Sequence, residues 1–355
     1  MTLSAERAYA FVVLLETSPH ISLFVRHLYI KGDASRLYRK SHYLDVVIPI
    51  IAPKLTSLKT LRVESVTLAH HPNVLSALIK NLSTLHSLYL YSVTFNRFRD
   101  FAALVVAHPF LERLDLGQIW WNESVNANSH WEDVFQAHPE PRSRLRSISF
   151  NDTSDNVLDW ILSHYRVLPV HTVTHSTIST CRIPQMAKLF QVLGSSLEHL
   201  TFSIYSPQYS LKPQGLYYFC PSLLGALTPS LESSSADFIS SNTSLRTLTF
   251  DRLLLTQPTP ELYAWMPILL SKVTSPYVEE ISFILVWNQL KMLEALNLEL
   301  MQEIITKSIF SGLKRVVFRL VGDLDPEAAR QEIWRRMDQL AERGLLIFRR
   351  EPITV

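Results

Sequence analysis

Apolar residues recur along this chain in one short pattern: an apolar residue, two variable ones, an apolar, one variable, an apolar. It stands as Val25, Leu28 and Ile30 in VRHLYI, as Leu58, Leu61 and Val63 in LKTLRV, and as Leu85, Leu88 and Leu90 in LHSLYL. Leu111, Leu114 and Leu116 repeat it in LERLDL, then Leu145, Ile148 and Phe150 in LRSISF, and Leu197, Leu200 and Phe202 in LEHLTF. LRTLTF (Leu245, Leu248, Phe250), VEEISF (Val278, Ile281, Phe283) and LKRVVF (Leu313, Val316, Phe318) complete nine clean copies. A tenth, VHTVTH at 170–175, keeps two of the three apolar positions. The alternation closing each motif sends every second side chain to one face, as a strand does.

Successive motifs begin 25 to 35 residues apart, with one gap of 48. That pitch lies at or somewhat above the ~20–29 residues of a leucine-rich repeat. The intervening segments 42–52, 72–82, 98–108, 154–165, 184–194, 260–273, 289–310 and 326–343 have helical spacing. Two carry start signals, Thr259 before Pro260 and Asp325 before Pro326. Strand, helix, strand at this pitch predicts parallel strands joined by right-handed crossovers. The predicted fold is therefore α/β: a leucine-rich-repeat solenoid, with a curved parallel sheet on its concave side and helices on its convex side.

The whole chain, 1–355, reads as one such solenoid. Residues 1–24 form an N-terminal capping helix, 25–320 ten repeats, and 321–355 a C-terminal capping helix and strand. No repeat can bury its apolar face alone, so the core is shared between neighbours. Its deepest members should be Leu61, Leu88, Leu114, Ile148, Leu200, Leu248, Ile281 and Val316. Three residues past the last strand position, where such repeats often carry Asn or Cys, this chain has Val66, Val93, Ile119, Thr153 and Leu253. Without an amide ladder, the turns are expected to differ from repeat to repeat.

Composition narrows the function. An apolar fraction of 47% with 19% charged residues belongs to a folded chain, not a disordered one. A net charge of +2 leaves no strong field toward nucleic acid or acidic membrane. The two cysteines, Cys181 and Cys220, cannot build a disulfide framework, which fits a reducing compartment. The apolar run 9–15 is too short for a membrane span and has the wrong flanks for a signal peptide. A cytoplasmic or nuclear location is expected, with no membrane or nucleic-acid partner.

Catalytic chemistry finds little support. With 8 glycines there is no phosphate loop or dinucleotide fingerprint, and no G-x-S-x-G elbow, HExxH or CxxC. His171 and His175 lie near Cys181, but four residues along a strand put them ~13 Å apart. His175 fills an inward slot, which suits a core histidine bonded to a carbonyl, while His70, His71, His108, His138 and His164 suit caps and turns. No catalytic residue, metal or cofactor is expected.

The polar positions between the apolar ones face the concave side, which curved repeat proteins use for binding. Early repeats present His27, Tyr29 and Lys31, then Thr60, Arg62 and Glu64, then Ser87, Tyr89 and Tyr91, then Arg113, Asp115 and Gly117. Later repeats present mainly Ser and Thr there. Tyr and Arg are enriched at interface hot spots, so a protein-binding site is expected on repeats one to four. It centres on Tyr29, Arg62, Tyr89 and Arg113, with His27, Lys31, Glu64, Tyr91 and Asp115 around them. The alternative is a solvated sheet face whose cross-strand neighbours pack on each other. Two aromatic loops are further candidates: Trp120, Trp121 and Trp131 at 118–133, and Tyr205, Tyr209, Tyr217 and Tyr218 at 204–222. Either set could grip a partner or fold onto a neighbouring repeat.

The opening RAYAFVVLLETSPHISLFVRHLYIKG (7–32) resembles the segment that follows the F-box in the F-box and leucine-rich-repeat families of mushroom-forming fungi (basidiomycetes). HPFLERLDLG (108–117) and SLEHLTF (196–202) are similar to their repeats. The resemblance implies substrate recognition for an SCF-type ubiquitin ligase, in which an F-box docks on the adaptor and the repeats hold the substrate. The F-box itself is not seen before Arg7, so an SCF adaptor is a partner only if one lies upstream. The alternative is a stand-alone binding scaffold with no ligase link, and the chain is expected to be a monomer.

Overall fold

The apolar motifs fall on strands in the computed structural model of the chain. It describes residues 2–3, 5–32, 42–122, 144–151, 155–164, 169–179, 183–205, 239–255, 263–287, 289–321 and 325–351. The chain divides into two compact units, Met1–Pro169 and Val170–Val355. Each is a leucine-rich-repeat solenoid of the α/β class.

In the first unit, β1 (Thr2–Leu3), β2 (His27–Lys31), β3 (Thr60–Thr67), β4 (Ser87–Phe95), β5 (Arg113–Trp121) and β6 (Ser147–Asn151) lie side by side in chain order. Every pairing is parallel. Helices α1 (Ala5–Thr17), α2 (His42–Ile51), α3 (Pro72–Asn81) and α4 (Phe98–Val106) follow β1 to β4 in turn, and α5 (Asp155–His164) follows β6. α1 packs on α2, α2 on α3, and α3 on α4. Leu28, Leu61, Leu88, Leu114 and Ile148 form one lateral column, each buried between sheet and helices.

The second unit repeats the scheme with β7 (Thr172–Ser179), β8 (His199–Tyr205), β9 (Thr247–Leu255), β10 (Glu280–Trp287), β11 (Arg315–Val321) and β12 (Leu346–Glu351). Its helices are α6 (Ile183–Leu193), α7 (Trp265–Ser271), α8 (Leu298–Ile305), α9 (Pro326–Arg336) and α10 (Asp338–Glu342). Here the last apolar position of the motif is Phe, and the register stacks the rings. Phe250 lies 5.0 Å from Phe283, Phe283 5.1 Å from Phe318, and Phe318 5.7 Å from Phe348, all nearly parallel. The eight residues expected deepest in the core are all fully buried.

The backbone explains why the pitch of the repeat can vary while the strands stay in register. At the leading ends of β2 to β5 and of β7 to β10, one carbonyl accepts two N–H groups from the next repeat. Lys59 and Thr60 both donate to Arg26, His86 and Ser87 to Lys59, and Glu112 and Arg113 to His86. The second unit does the same, as where Lys314 and Arg315 donate to Glu279. The clamp needs no particular side chain.

Three expectations need correction. The turns of the first unit are alike, not individual: Ser65, Ser92 and Gln118 all sit in the left-handed region, with φ of 56°, 53° and 54°. That residue breaks the two-residue alternation, so Val66, Val93 and Ile119 turn inward and are buried. Burial of the apolar side chain offsets the ~1–2 kcal/mol that a left-handed non-glycine residue costs. Gly32 holds the place alongside, where a Cβ would stand 1.8 Å from the Ser65 carbonyl oxygen. The second correction concerns 289–310, which is not one helix. Asn297 accepts from the Leu300 N–H and starts α8 afresh, and the 3-10 turns Leu290–Ala295 and Ser308–Phe310 flank it. Likewise 326–343 breaks at Met337 into α9 and α10, after a start where Asp325 accepts from the Glu327 N–H as expected. The third is His71, which is not a side-chain cap: it is buried, and its Nδ1 lies 2.8 Å from Asp45 on α2. Thr259 and Thr153 lie outside the described residues.

Candidate functional site

The parallel register of β2 to β5 converts the polar positions of the motif into three columns on the outer face of the sheet. His27, Thr60, Ser87 and Arg113 form the leading column. Tyr29, Arg62, Tyr89 and Asp115 form the middle one, and Lys31, Glu64, Tyr91 and Gly117 the third. Strands ~4.8 Å apart bring residues from repeats about thirty positions distant into side-chain contact.

Those contacts are specific. Arg62 lies over the Tyr29 ring at 4.9 Å and the Tyr91 ring at 5.2 Å, so its guanidinium sits between two aromatic faces. Its Nη2 donates to Glu64 Oε2 at 2.8 Å, and the Tyr29 hydroxyl donates to the same oxygen at 2.5 Å. Lys31 Nζ stands 3.7 Å from Glu64 Oε1. One strand further on, the Tyr91 hydroxyl donates to Asp115 Oδ1 at 2.5 Å, and Arg113 stands 3.6 Å from Oδ2 while lying over Tyr89 at 5.3 Å. Gly117 makes room for this: a Cβ there would come within 2.6 Å of the Tyr91 ring.

The electrostatics follow. Burial works against the Glu64 carboxylate, but hydrogen bonds from Tyr29 and Arg62 and the charges of Arg62 and Lys31 hold it below the usual range. Burial pushes the Tyr29 hydroxyl up to about 12, helped by its bond to Glu64 and that residue's charge. Tyr91 is raised further, by deeper burial and then by Asp115. Both phenols therefore stay protonated donors and both carboxylates are occupied acceptors.

The four residues on which the expected site centres are thus in two touching pairs, Arg62 with Tyr29 and Arg113 with Tyr89. His27 is exposed at the leading end of β2, beside Thr60. The tryptophans of the first aromatic loop separate. Trp121 meets Phe98 edge-on at 5.1 Å, joining a cluster with Trp160 and Phe101, whereas Trp120 is exposed. Tyr205 ends β8, and its side chain lies outside the described residues, as do Trp131, Tyr209, Tyr217 and Tyr218 entirely.

Two features went unanticipated, both built from residues at or just before the start of a motif. At the leading end of the first unit, His86 stacks on Phe110 at 6.4 Å and Arg144 covers the other ring at 5.0 Å. In the second unit the second motif position carries Glu198, Arg246, Glu279 and Lys314, which pair in a row. Arg246 stands 3.6 Å from Glu198 and 3.3 Å from Glu279, and Lys314 2.8 Å from Glu279. His171 also points at Glu198, 3.2 Å away. Among the described residues no group of three His, Cys, Asp or Glu could hold a metal ion. Nor is any described helix long and apolar enough to cross a membrane.

No family model and no curated protein matches the chain. Among solved structures it is similar to a chain of the yeast Rad7 and Elc1 complex, at 13% identity over 94% of this chain and 81% of that one, with a TM-score of 0.42. A likeness of that degree bears on no functional question.

Proposed function

We propose that the chain is a protein-binding module whose contact surface is the outer sheet face of β2 to β5. The observation that carries this reading is the stacking of Arg62 between Tyr29 and Tyr91 and of Arg113 on Tyr89. Tyr and Arg dominate interface hot spots, and here they are held in place before any partner arrives. Ordering each such side chain on binding would otherwise cost ~0.5–1.5 kcal/mol. The resemblance of 7–32, 108–117 and 196–202 to F-box and leucine-rich-repeat proteins favours one role for the module, substrate recognition for an SCF-type ubiquitin ligase.

The test is affinity purification of the full chain beside a variant with Tyr29, Arg62, Tyr89 and Arg113 all changed to Ala. The reading expects proteins captured by the wild type to be lost from the variant, at equal expression and unchanged helical content by circular dichroism. An unchanged partner set would sink it. A ligase adaptor among the captured proteins supports the ligase role. Partners without one support a free-standing scaffold.

A further inference from the structure

The charges of this face are not equally available. The side chains of Lys31, Arg62 and Arg113 are 53%, 48% and 49% exposed, whereas Glu64 and Asp115 are 22% and 8% exposed. Each carboxylate lies under a tyrosine hydroxyl that donates to it. What a partner meets first is therefore cations and aromatic rings, with Asp115 buried and Glu64 half-buried beneath them. Both tyrosine hydroxyls that face carboxylates are spent, so these rings offer surface rather than hydrogen bonds. The guanidiniums are not spent. Of five N–H donors Arg62 gives one to Glu64, and Arg113 makes only a 3.6 Å ion pair with Asp115. Stacking on tyrosine leaves the other N–H groups for a further acceptor, and a guanidinium takes a carboxylate in bidentate fashion.

The three cations also fall on a line. Lys31 is in the third column on β2, Arg62 in the middle column on β3, and Arg113 in the leading column on β5. With strands ~4.8 Å apart and ~3.3 Å per residue along each, Lys31 and Arg113 are about 20 Å apart on a diagonal, the length of some six extended residues. Three cations against two carboxylates leave one net positive charge on the cluster. That suits a few spaced carboxylates better than the dense charge of a nucleic-acid backbone. In the second unit Glu198 and Glu279 balance Arg246 and Lys314 along the row, and Glu280 balances Arg315 beside it.

We infer that the partner of this face is a protein presenting an acidic extended segment of about six residues, laid diagonally across β2 to β5 with its carboxylates on Lys31, Arg62 and Arg113. This rests on the sheet face being the binding surface, and adds the chemistry of what binds there.

The test uses the full chain and a fluorescein-labelled octaglutamate peptide, read by fluorescence anisotropy at low and at physiological salt. Octaglutamine of the same length and labelled oligothymidylate are the other arms. Octaglutamate should bind, weaken as salt rises, and lose at least tenfold in affinity in Arg62→Gln/Arg113→Gln. Lys31→Glu, at an exposed position whose side chain makes only the 3.7 Å ion pair with Glu64, should weaken it as well, so the outcome does not hang on the arginine variant folding. Arg246→Gln/Lys314→Gln, in the second unit, should leave binding unchanged. Absence of octaglutamate binding overturns the inference, as does equal binding of octaglutamine, tighter binding of oligothymidylate, or indifference to the Arg62 and Arg113 changes. If octaglutamate fails while the quadruple Ala variant still loses its captured proteins, the acidic segment falls and the binding face stands. If neither variant changes anything, both fall.

Discussion

His108 is the residue through which acid should reach this fold. It follows α4, its carbonyl accepts from the Leu111 N–H, and its ring is buried with neither nitrogen in a hydrogen bond of ordinary geometry among the described residues. Burial lowers its pKa from an ordinary 6.5 to about 4, with the Leu82 carbonyl opposing only in part. The folded chain thus holds a neutral imidazole at pH values where the unfolded chain takes up a proton. Above pH 6.5 neither state is protonated and the full stability is present. As pH falls from 6.5 toward 4 only the unfolded state gains the proton, so stability is lost across that window and levels off below it. The linkage gives about 2 kcal/mol lost by pH 5 and about 3 kcal/mol below pH 4 from this group alone. The assay is urea denaturation followed by tryptophan fluorescence, at pH 7.5 and pH 5, for the wild type and His108→Leu. Other groups titrate in both proteins and cancel in the comparison. The variant should lose about 2 kcal/mol less than the wild type over that interval, at unchanged m-value. Equal pH sensitivity in the two proteins would refute the assignment of a buried, neutral His108.

Three further outcomes test the packing. Gly32→Ala should destabilise by more than the ~1 kcal/mol typical of point mutants, because its Cβ meets the Ser65 carbonyl, a backbone atom that cannot swing aside; thermal melts against Gly344→Ala, at a left-handed turn with open space around it, separate steric clash from strain. Phe283→Ala removes a fully buried ring stacked on both sides and should cost about 3–5 kcal/mol, while Phe348→Ala, half-buried and last in the stack, should cost less; equal costs in urea melts would argue against the stacked column. Leu114→Ala, inside the first unit's apolar column between Leu88 and Ile148, should cost about 2–5 kcal/mol, and an unchanged melt would contradict the register.

What the sequence made legible is whatever follows from burial at a fixed period. Leu61, Leu88 and Leu114 could be placed in the core, and Tyr29, Arg62 and Tyr89 on the opposite face, because a strand sends alternate residues to opposite sides and only one side is apolar. The turns were not legible in that way. Ser65, Ser92 and Gln118 are polar but are not the Gly or Asn that favour the left-handed region, and they share that conformation because the next residue is apolar and has to turn inward. His108 escaped for a related reason: a histidine past the end of a helix looks like a polar terminator, and only the surrounding packing makes it a buried base.

The difference between the two sheet faces was half visible. The alternation of Glu198, Arg246, Glu279 and Lys314 stands in the sequence, but it becomes an ion row only once strands from different repeats are aligned laterally. The same alignment places Glu64 beneath Tyr29 and Arg62, and Asp115 beneath Tyr91. Both units share one backbone scheme, so the scheme itself cannot decide which face binds. What separates them is the balance of charge together with the aromatic rings. In the second unit Glu198 and Glu279 balance Arg246 and Lys314, and Glu280 balances Arg315. In the first unit the two acids accept from phenols, Arg62 and Arg113 lie on tyrosine rings, and Lys31 brings a third cation to two carboxylates, so an attraction for a further carboxylate remains. An exposed ion pair contributes little in water, but a cation stacked on a ring and in excess over its carboxylates keeps N–H donors for a second carboxylate, and it is on that excess that a partner would select the first unit.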